Sequence, residues 1–508
     1  MTSHDDGKPG GRNGDAASGG YGNTPPGGDG RYKRIALAVV LIGVMMTAID
    51  TTAVILGLPI MMKQLHSSLM DMVWVIMAYL LVLTILGTQV GKLGDMYGRI
   101  TMYLWGFGIF TAGSVFCGLA VGAPELIAFR VVQAVGGALV FSNSGAIIAD
   151  TFPENERGRA YGFVATGYSV GAVAGILLGG LIVNFASWNY IFFINLPIGV
   201  AAMIITHRVL REGFILTKRT LDIVGALALG LGLFLVLFGI TQVTSNGLGT
   251  EEASEMGGGA AMLAVFVIWE RRSKAPLVSF SLFRHRILTA SILAAFLQPL
   301  AGFAVLFLVV MFLQGFRGMS PLEASLLLVP GYLLGGIVGI FGGRLADRYG
   351  ARLVASLGIF FQSVGIFIYS YLSTDISTMV VVIGSVVSGI GTGLFYPANN
   401  SAVMANAPRE AYGLASGLLR TFANLGMMSS FAIAFLVSSL AISRKQSFAI
   451  FLGVGHLSSL AAPFERGMHD AFYSSIAIMG AALVLSMLRG REERRTGNGG
   501  RETGGLGS

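Results

Sequence analysis

Between residues 35 and 488 the chain alternates apolar runs with short charged breaks. The runs fall at about 35–60, 72–93, 101–121, 124–149, 159–184, 189–207, 222–243, 256–270, 287–313, 322–343, 353–372, 378–404, 411–442 and 469–488. Runs of this length cross the ~30 Å hydrocarbon core of a bilayer as helices. In hydrocarbon the backbone must satisfy its own hydrogen bonds, and an open sheet edge would not. The expectation is therefore an all-α polytopic membrane protein with fourteen transmembrane helices. The run at 256–270 is short and opens on Gly257-Gly258-Gly259, and the apolar stretch 447–462 is read as an interfacial segment outside the count. Composition agrees: 54% of residues are hydrophobic and 12% charged, too little charge to cover a soluble globule of 508 residues.

The chain also repeats itself. Gly91-Lys92-Leu93-Gly94-Asp95-Met96-Tyr97-Gly98-Arg99 returns as Gly343-Arg344-Leu345-Ala346-Asp347-Arg348-Tyr349-Gly350-Ala351-Arg352, and Ala160-Tyr161-Gly162 returns as Ala411-Tyr412-Gly413. The offset is roughly 250 residues, so the unit is a six-helix bundle present twice. An additional helix pair, spans seven and eight, is left between the copies. The expected division is an N-terminal bundle over 31–210, an inserted two-helix linker over 211–286 and a C-terminal bundle over 287–490. Residues 1–30, rich in Gly, Asp and Asn, and residues 491–508 are read as disordered cytoplasmic tails.

With the amino terminus inside, Lys and Arg crowd the inner segments. Only Lys63, Arg317, Arg444, Lys445 and Arg466 fall outside. That asymmetry predicts both termini cytoplasmic and an even number of spans. The acidic residues Glu251, Glu252 and Glu255 then lie outside. The net charge of +8 is spread between apolar runs, which excludes a nucleic-acid face. The basic stretch Arg271, Arg272, Lys274, Arg284 and Arg286 is expected to touch anionic membrane lipid. Cys117 stands alone, so neither an internal disulfide nor a cysteine metal cluster is available. There is no phosphate-cradling loop, no metal-spaced His cluster and no nucleophile with a matched base. The chain is therefore expected to be no enzyme, to need no cofactor, and to draw on an ion gradient or the solute's own.

The repeated charged loop resembles the signature between spans two and three of the major facilitator superfamily. Fourteen runs with this repeat resemble its fourteen-span drug:proton antiporter family, of the multidrug efflux type. Further stretches carry the likeness: Ile49-Asp50-Thr51-Thr52 to Leu58-Pro59, Trp74 to Leu81, Trp188 to Gly199, and Arg130-Val131-Val132-Gln133-Ala134-Val135-Gly136-Gly137, which is similar to the superfamily's fourth-span motif. The match covers most of residues 35–440. It implies the major facilitator fold, two six-helix bundles plus two inserted central helices, with a midplane cavity. It also implies a monomer in the cell membrane that exports lipophilic or cationic small molecules in exchange for protons. Two positions depart from the pattern: Gly175 is followed by Ile176 where the fifth-span motif has Gly-Pro, and Ile55 stands where the first-span motif has Asn. Proton-coupled uptake or facilitated diffusion of a small organic solute, anions included, stays open. So does a non-transporting sensor or scaffold.

Asp50 falls near mid-span in the first run, where a carboxyl costs on the order of 3 kcal/mol and is functional by default. It is the expected proton carrier, unless the Thr51 and Thr52 hydroxyls merely cap it. Arg130 in span four is its nearest cation by depth, and the two are expected to pair in one conformation and separate in another; the alternative is that Arg130 snorkels to headgroups. Arg420 and Asn424 lie one turn apart in span thirteen, where Arg420 either contacts substrate or pairs with backbone carbonyls. Asn143, aligned with Asn399, joins Gln133, Tyr396 and Asn400 as candidate substrate contacts. Gln89, Gln298, Met45, Met46, Tyr79 and Phe395 are further cavity candidates. Gly171, Gly175 and Gly179 in span five, and Gly331, Gly335 and Gly339 in span ten, form ladders expected to pack helices closely. The two ladders are candidates to face each other across the bundle boundary. Gly91, Asp95, Gly98, Arg99, Gly343, Asp347 and Arg352 are assigned to gating, their carboxylates at the starts of spans three and eleven.

Overall fold

A computed structural model describes residues 30–212, 220–246, 249–273, 276–277, 283, 285–373, 375–407, 412–441 and 457–490. Residues 1–29 and 491–508 of the tails, Lys274, Arg284, Arg444, Lys445 and residues 447–456 of the interfacial stretch lie outside these, while Gly30 already belongs to the first helix. The first half comprises α1 (Gly30–Gln64), α2 (Leu69–Tyr97), α3 (Arg99–Leu119), α4 (Ala123–Thr151), α5 (Glu154–Phe185) and a broken pair, α6 (Tyr190–Phe193) and α7 (Asn195–Val209). Next come α8 (Ile223–Asn246) and α9 (Thr250–Glu270). The second half comprises α10 (Arg286–Met311), α11 (Pro321–Tyr349), α12 (Ala351–Tyr369), α13 (Met379–Asn406), α14 (Tyr412–Ala441) and α15 (Leu457–Met487).

Among the described residues, 12 helices are long and apolar enough to cross a membrane; α9 and α14 stand outside that set. The last helix corrects the reading of 447–462. Residues from Leu457 onward are already helical and continuous with the final span, so that part is no separate interfacial segment.

The duplication is visible in how helices begin and end. Ser68 and Asp71 cap α2 reciprocally: Asp71 N–H donates to Ser68 Oγ at 3.1 Å, and Ser68 N–H to Asp71 Oδ2 at 2.8 Å. Ser320 and Glu323 repeat the box at the head of α11. Gly98, between α2 and α3, has φ +100°, and Gly350, between α11 and α12, has φ +93°. Both turns thus need a backbone that L side chains rarely adopt. Packing follows the same symmetry. Within the halves α1 lies on α5, as α10 lies on α14, and α2 lies on α4, as α11 lies on α13. Between the halves α5 meets α11 and α2 meets α14.

The glycine ladders do not face each other. Gly171, Gly175 and Gly179 bring α5 against Met45, Ile49, Thr52 and Ala53 of α1, and Gly331 and Gly335 bring α11 against Ser385 and Gly389 of α13, with Gly339 close to Gly393. Each ladder closes its own half because small residues let backbones approach. The α5–α11 seam is made instead by Gly180 against Ser325 and by Gly336 near Ser169.

The inserted pair sits on the other seam, where α8 touches both α2 and α14. Phe234 and Phe238 of α8 lie 5.4 and 6.0 Å from Trp74 of α2. Just ahead of α8, Asp222 fastens the hairpin. Its backbone N–H donates to Gln89 Oε1 and its carbonyl accepts from Gln89 Nε2, and its carboxylate accepts from Gly225 N–H, Trp269 Nε1 and Ser273 Oγ, each at 2.8 Å. Burial alone would raise the Asp222 carboxyl. The three donors and the nearby Lys92 charge outweigh it and hold the group below its ordinary value. Gln89 is therefore a docking residue for the hairpin.

Candidate functional site

Asp50 points into the first half, its side chain closed to solvent. The neighbouring hydroxyls do not cap it. Thr47, Thr51 and Thr52 donate to the carbonyls of Val44, Thr47 and Ala48 on their own helix, each at 2.9 Å. The carboxylate is met by side chains from α4 and α7. Oδ2 accepts from Arg130 Nη1 at 2.6 Å, and Oδ1 accepts from Gln133 Nε2 at 2.7 Å and Asn195 Nδ2 at 3.3 Å.

Arg130 is as closed as its partner, with side-chain exposure of 1% against 0% for Asp50, so it does not snorkel. Its Nε donates to the Val75 carbonyl of α2 at 3.2 Å and its Nη1 also to Gln133 Oε1 at 2.6 Å. The guanidinium carbon stands 4.2 Å from the Tyr79 ring centroid and 5.8 Å from that of Phe192. Ser114 of α3 closes the network, accepting from Gln133 at 2.7 Å and Asn195 at 3.2 Å. A buried pair is tolerable only when its surroundings supply further hydrogen bonds, and here Val75, Gln133 and Asn195 do so. The network joins α1, α2, α3, α4 and α7 around one carboxylate. The break between α6 and α7 at Ile194 sets Asn195 at the head of α7, facing it.

Ser114 and Asn195 are absent from the residues expected from sequence. Asn195 lies in an apolar run beside a Pro two residues on, which is the signal that could have found it. Gln133 belongs to this buried network and not to a solvent-open wall. Asn143 is also fully buried, packed against Gly94 of the charged loop and donating to the Leu139 carbonyl at 2.8 Å. Asn399 donates to the Ser291 carbonyl at 3.0 Å and accepts from Arg489 Nη2 at 2.9 Å, holding α10, α13 and the end of α15 together. Gln298 bonds Gln362 across α10 and α12. Asn399 and Gln298 thus join helices within the second half, while Asn143 bonds to its own helix. By contrast Asn400 and Arg420 are exposed, and Tyr396 and Asn424 are half-buried.

The charged loops differ from their expected placement. Asp95 and Asp347 lie in the last turns of α2 and α11, not at the starts of the following helices. The carboxylate on the N-terminus of α3 is that of Glu212, accepting from Thr101 N–H at 2.8 Å and sitting over Gly98. Arg99 bridges Asp95 at 3.0 Å and Asp150 at 2.5 Å, tying α2, α3 and α4. In the second loop Asp347 is exposed, and among the described residues neither it nor Arg352 makes an ion pair. A side chain at Gly91 or Gly343 would meet open space, so those two glycines are not required by packing.

The sequence profile described as Major Facilitator Superfamily matches residues 40–431. The riboflavin transporter RibZ of Clostridioides difficile (strain 630) is 27% identical over 421 residues, 82% of this chain and 91% of that protein. The tetracenomycin C resistance and export protein of Streptomyces glaucescens is 29% identical over 394 residues, 77% of this chain and 73% of that one. In three dimensions the chain resembles a bacterial homologue of the human lysosomal transporter Spinster, in an inward-facing and occupied conformation. That likeness has a TM-score of 0.64 at 16% identity and covers 91% of this chain and 97% of the other, which shows a shared fold.

Proposed function

From the premise that this chain belongs to the Major Facilitator Superfamily, we propose that it exports lipophilic organic compounds in exchange for protons, with Asp50 as proton carrier and Arg130 as its modulator. The family is one of transporters, not enzymes, and the chain is a multi-pass secondary transporter of a small molecule. The buried pair at 2.6 Å carries the finer reading. Removing the partner of a buried charge costs about 3–5 kcal/mol. When the halves rearrange and Arg130 withdraws, Asp50 is left desolvated without a counter-charge, and a proton relieves the penalty. Separation and proton uptake are then linked, and the return of Arg130 expels the proton.

In this reading α9 and α14 complete fourteen spans, both termini face the cytoplasm as the distribution of Lys and Arg supports, and the chain acts as a monomer in the cell membrane. The loops around Asp95 and Asp347 bias the opening of the halves. Export is supported by the named role of the Streptomyces relative. Uptake or facilitated diffusion is the second reading, favoured by α5 running unbroken through Gly175-Ile176. Proteoliposomes with an imposed pH gradient separate them. An antiporter moves solute toward the acidic side and reverses with the gradient; a facilitator ignores its sign.

A further inference from the structure

Among the described residues, a charge within α14 stands outside the Asp50 network. Arg420 lies on α14 of the second half, its side chain exposed, and its guanidinium carbon is 3.0 Å from the centroid of Phe141 on α4 of the first. The contact therefore spans the boundary between the halves. Among the described residues no carboxylate lies within ion-pair distance of Arg420, and Asp50 is already held by Arg130. Tyr168 on α5 interacts electrostatically with Arg420, and Tyr332 on α11 and Tyr396 on α13 do so with Tyr168. Tyr168 is exposed, and Tyr332 and Tyr396 are half-open. Both halves thus contribute to one cluster.

The chemistry of that cluster is selective. A charged guanidinium within a membrane calls for an anion, and the ring face of Phe141 compensates it only in part. The planar fork of Arg matches a carboxylate in two hydrogen bonds. Phenol hydroxyls donate to anionic oxygens, and aromatic rings stack on flat apolar bodies. A cationic solute would meet a like charge that is only partly compensated.

We propose that Arg420, with Phe141, Tyr168, Tyr332 and Tyr396, forms the substrate site between the halves and that this site takes flat aromatic anions, carboxylates or acidic phenols, in preference to cations. This rests on the reading of the chain as a transporter and narrows its substrate to one charge class.

The test is equilibrium binding to the purified full chain in lipid nanodiscs, without any gradient, using three probes of one shape: 1-naphthoate, neutral 1-naphthamide and cationic 1-naphthylmethylammonium. Naphthoate should bind at least tenfold more tightly than either of the others. Arg420→Gln should erase that preference, and Arg420→Lys should keep part of it. Equal or tighter binding of the amide or amine, no detectable preference for naphthoate, or a preference that survives in folded Arg420→Gln overturns the proposal. The three-probe comparison uses the native chain, so a variant that fails to fold leaves it decisive. A chain that prefers the cation yet still exchanges it for protons would sink this assignment and leave proton-driven export standing.

Discussion

Arg130 and Asp50 meet at 2.6 Å in the interior of the first half, the one closed to solvent at 1% exposure and the other at 0%. Their separation in chain position is 80 residues, and Gln133 and Asn195 donate to the same carboxylate. So enclosed an acid changes charge only if its partners move.

Arg130→Ala leaves that acid buried without its counter-charge. The account expects a loss of about 3–5 kcal/mol in stability and a change in the pH profile of transport. Arg130→Lys, which keeps the charge but not the fork, should fall between. Transport measured across a pH series in vesicles checks this, and an unmoved profile in folded Arg130→Ala counts against the pairing's role.

Gly175 is where α5 comes closest to α1, with a side chain there directed at the Ile49 backbone and at Thr52. Gly175→Ala should destabilise by about 1–3 kcal/mol through overpacking. Gly480→Ala on α15, where a side chain meets open space, should not destabilise. Thermal unfolding in detergent gives the comparison, and equal effects at the two sites would contradict the packing described.

Gly98 and Gly350 share a positive φ, so alanine strains either turn by about 1–2 kcal/mol. Gly98 also lies under the Glu212 carboxylate, which caps α3, so an added side chain there would meet that carboxylate as well. Gly98→Ala should therefore lower thermal stability, and an unchanged unfolding temperature would be inconsistent with this geometry.

Much of this was legible in the chain because charge is rare in apolar runs. Asp50, Arg130 and Arg420 stand out for that reason, and the repeated turn marks the two halves. Neutral polar groups carry no such signal. Asn143, Asn195, Asn399 and Ser114 look alike in sequence, yet Asn195 and Ser114 join the Asp50 network, Asn399 ties α13 to α10, and Asn143 bonds back to its own helix. Glycine ladders announce a close approach but not the partner helix, which is why α5 and α11 each turn toward their own half. Asp95 misled because a loop and a last helical turn cannot be told apart by composition.

Asp222 makes the hairpin's attachment pH-dependent. Its folded value lies below the ordinary carboxylate range, so its contribution is present above the unfolded value and is lost as pH falls through the folded one. Trp269 donates to that carboxylate at 2.8 Å and reports on it. In a chain with Trp74, Trp105 and Trp188 replaced by Phe, Trp269 emission should change on acidification below the usual carboxylate range, and Asp222→Asn should abolish the step. A step that persists in Asp222→Asn would assign it elsewhere.

The most direct measurement is solute movement by Asp50→Asn in proteoliposomes, with and without a proton gradient. The account predicts that the gradient no longer drives accumulation, while exchange of labelled for unlabelled solute across the membrane continues. Full gradient-driven accumulation by Asp50→Asn would show that the proton travels by another group.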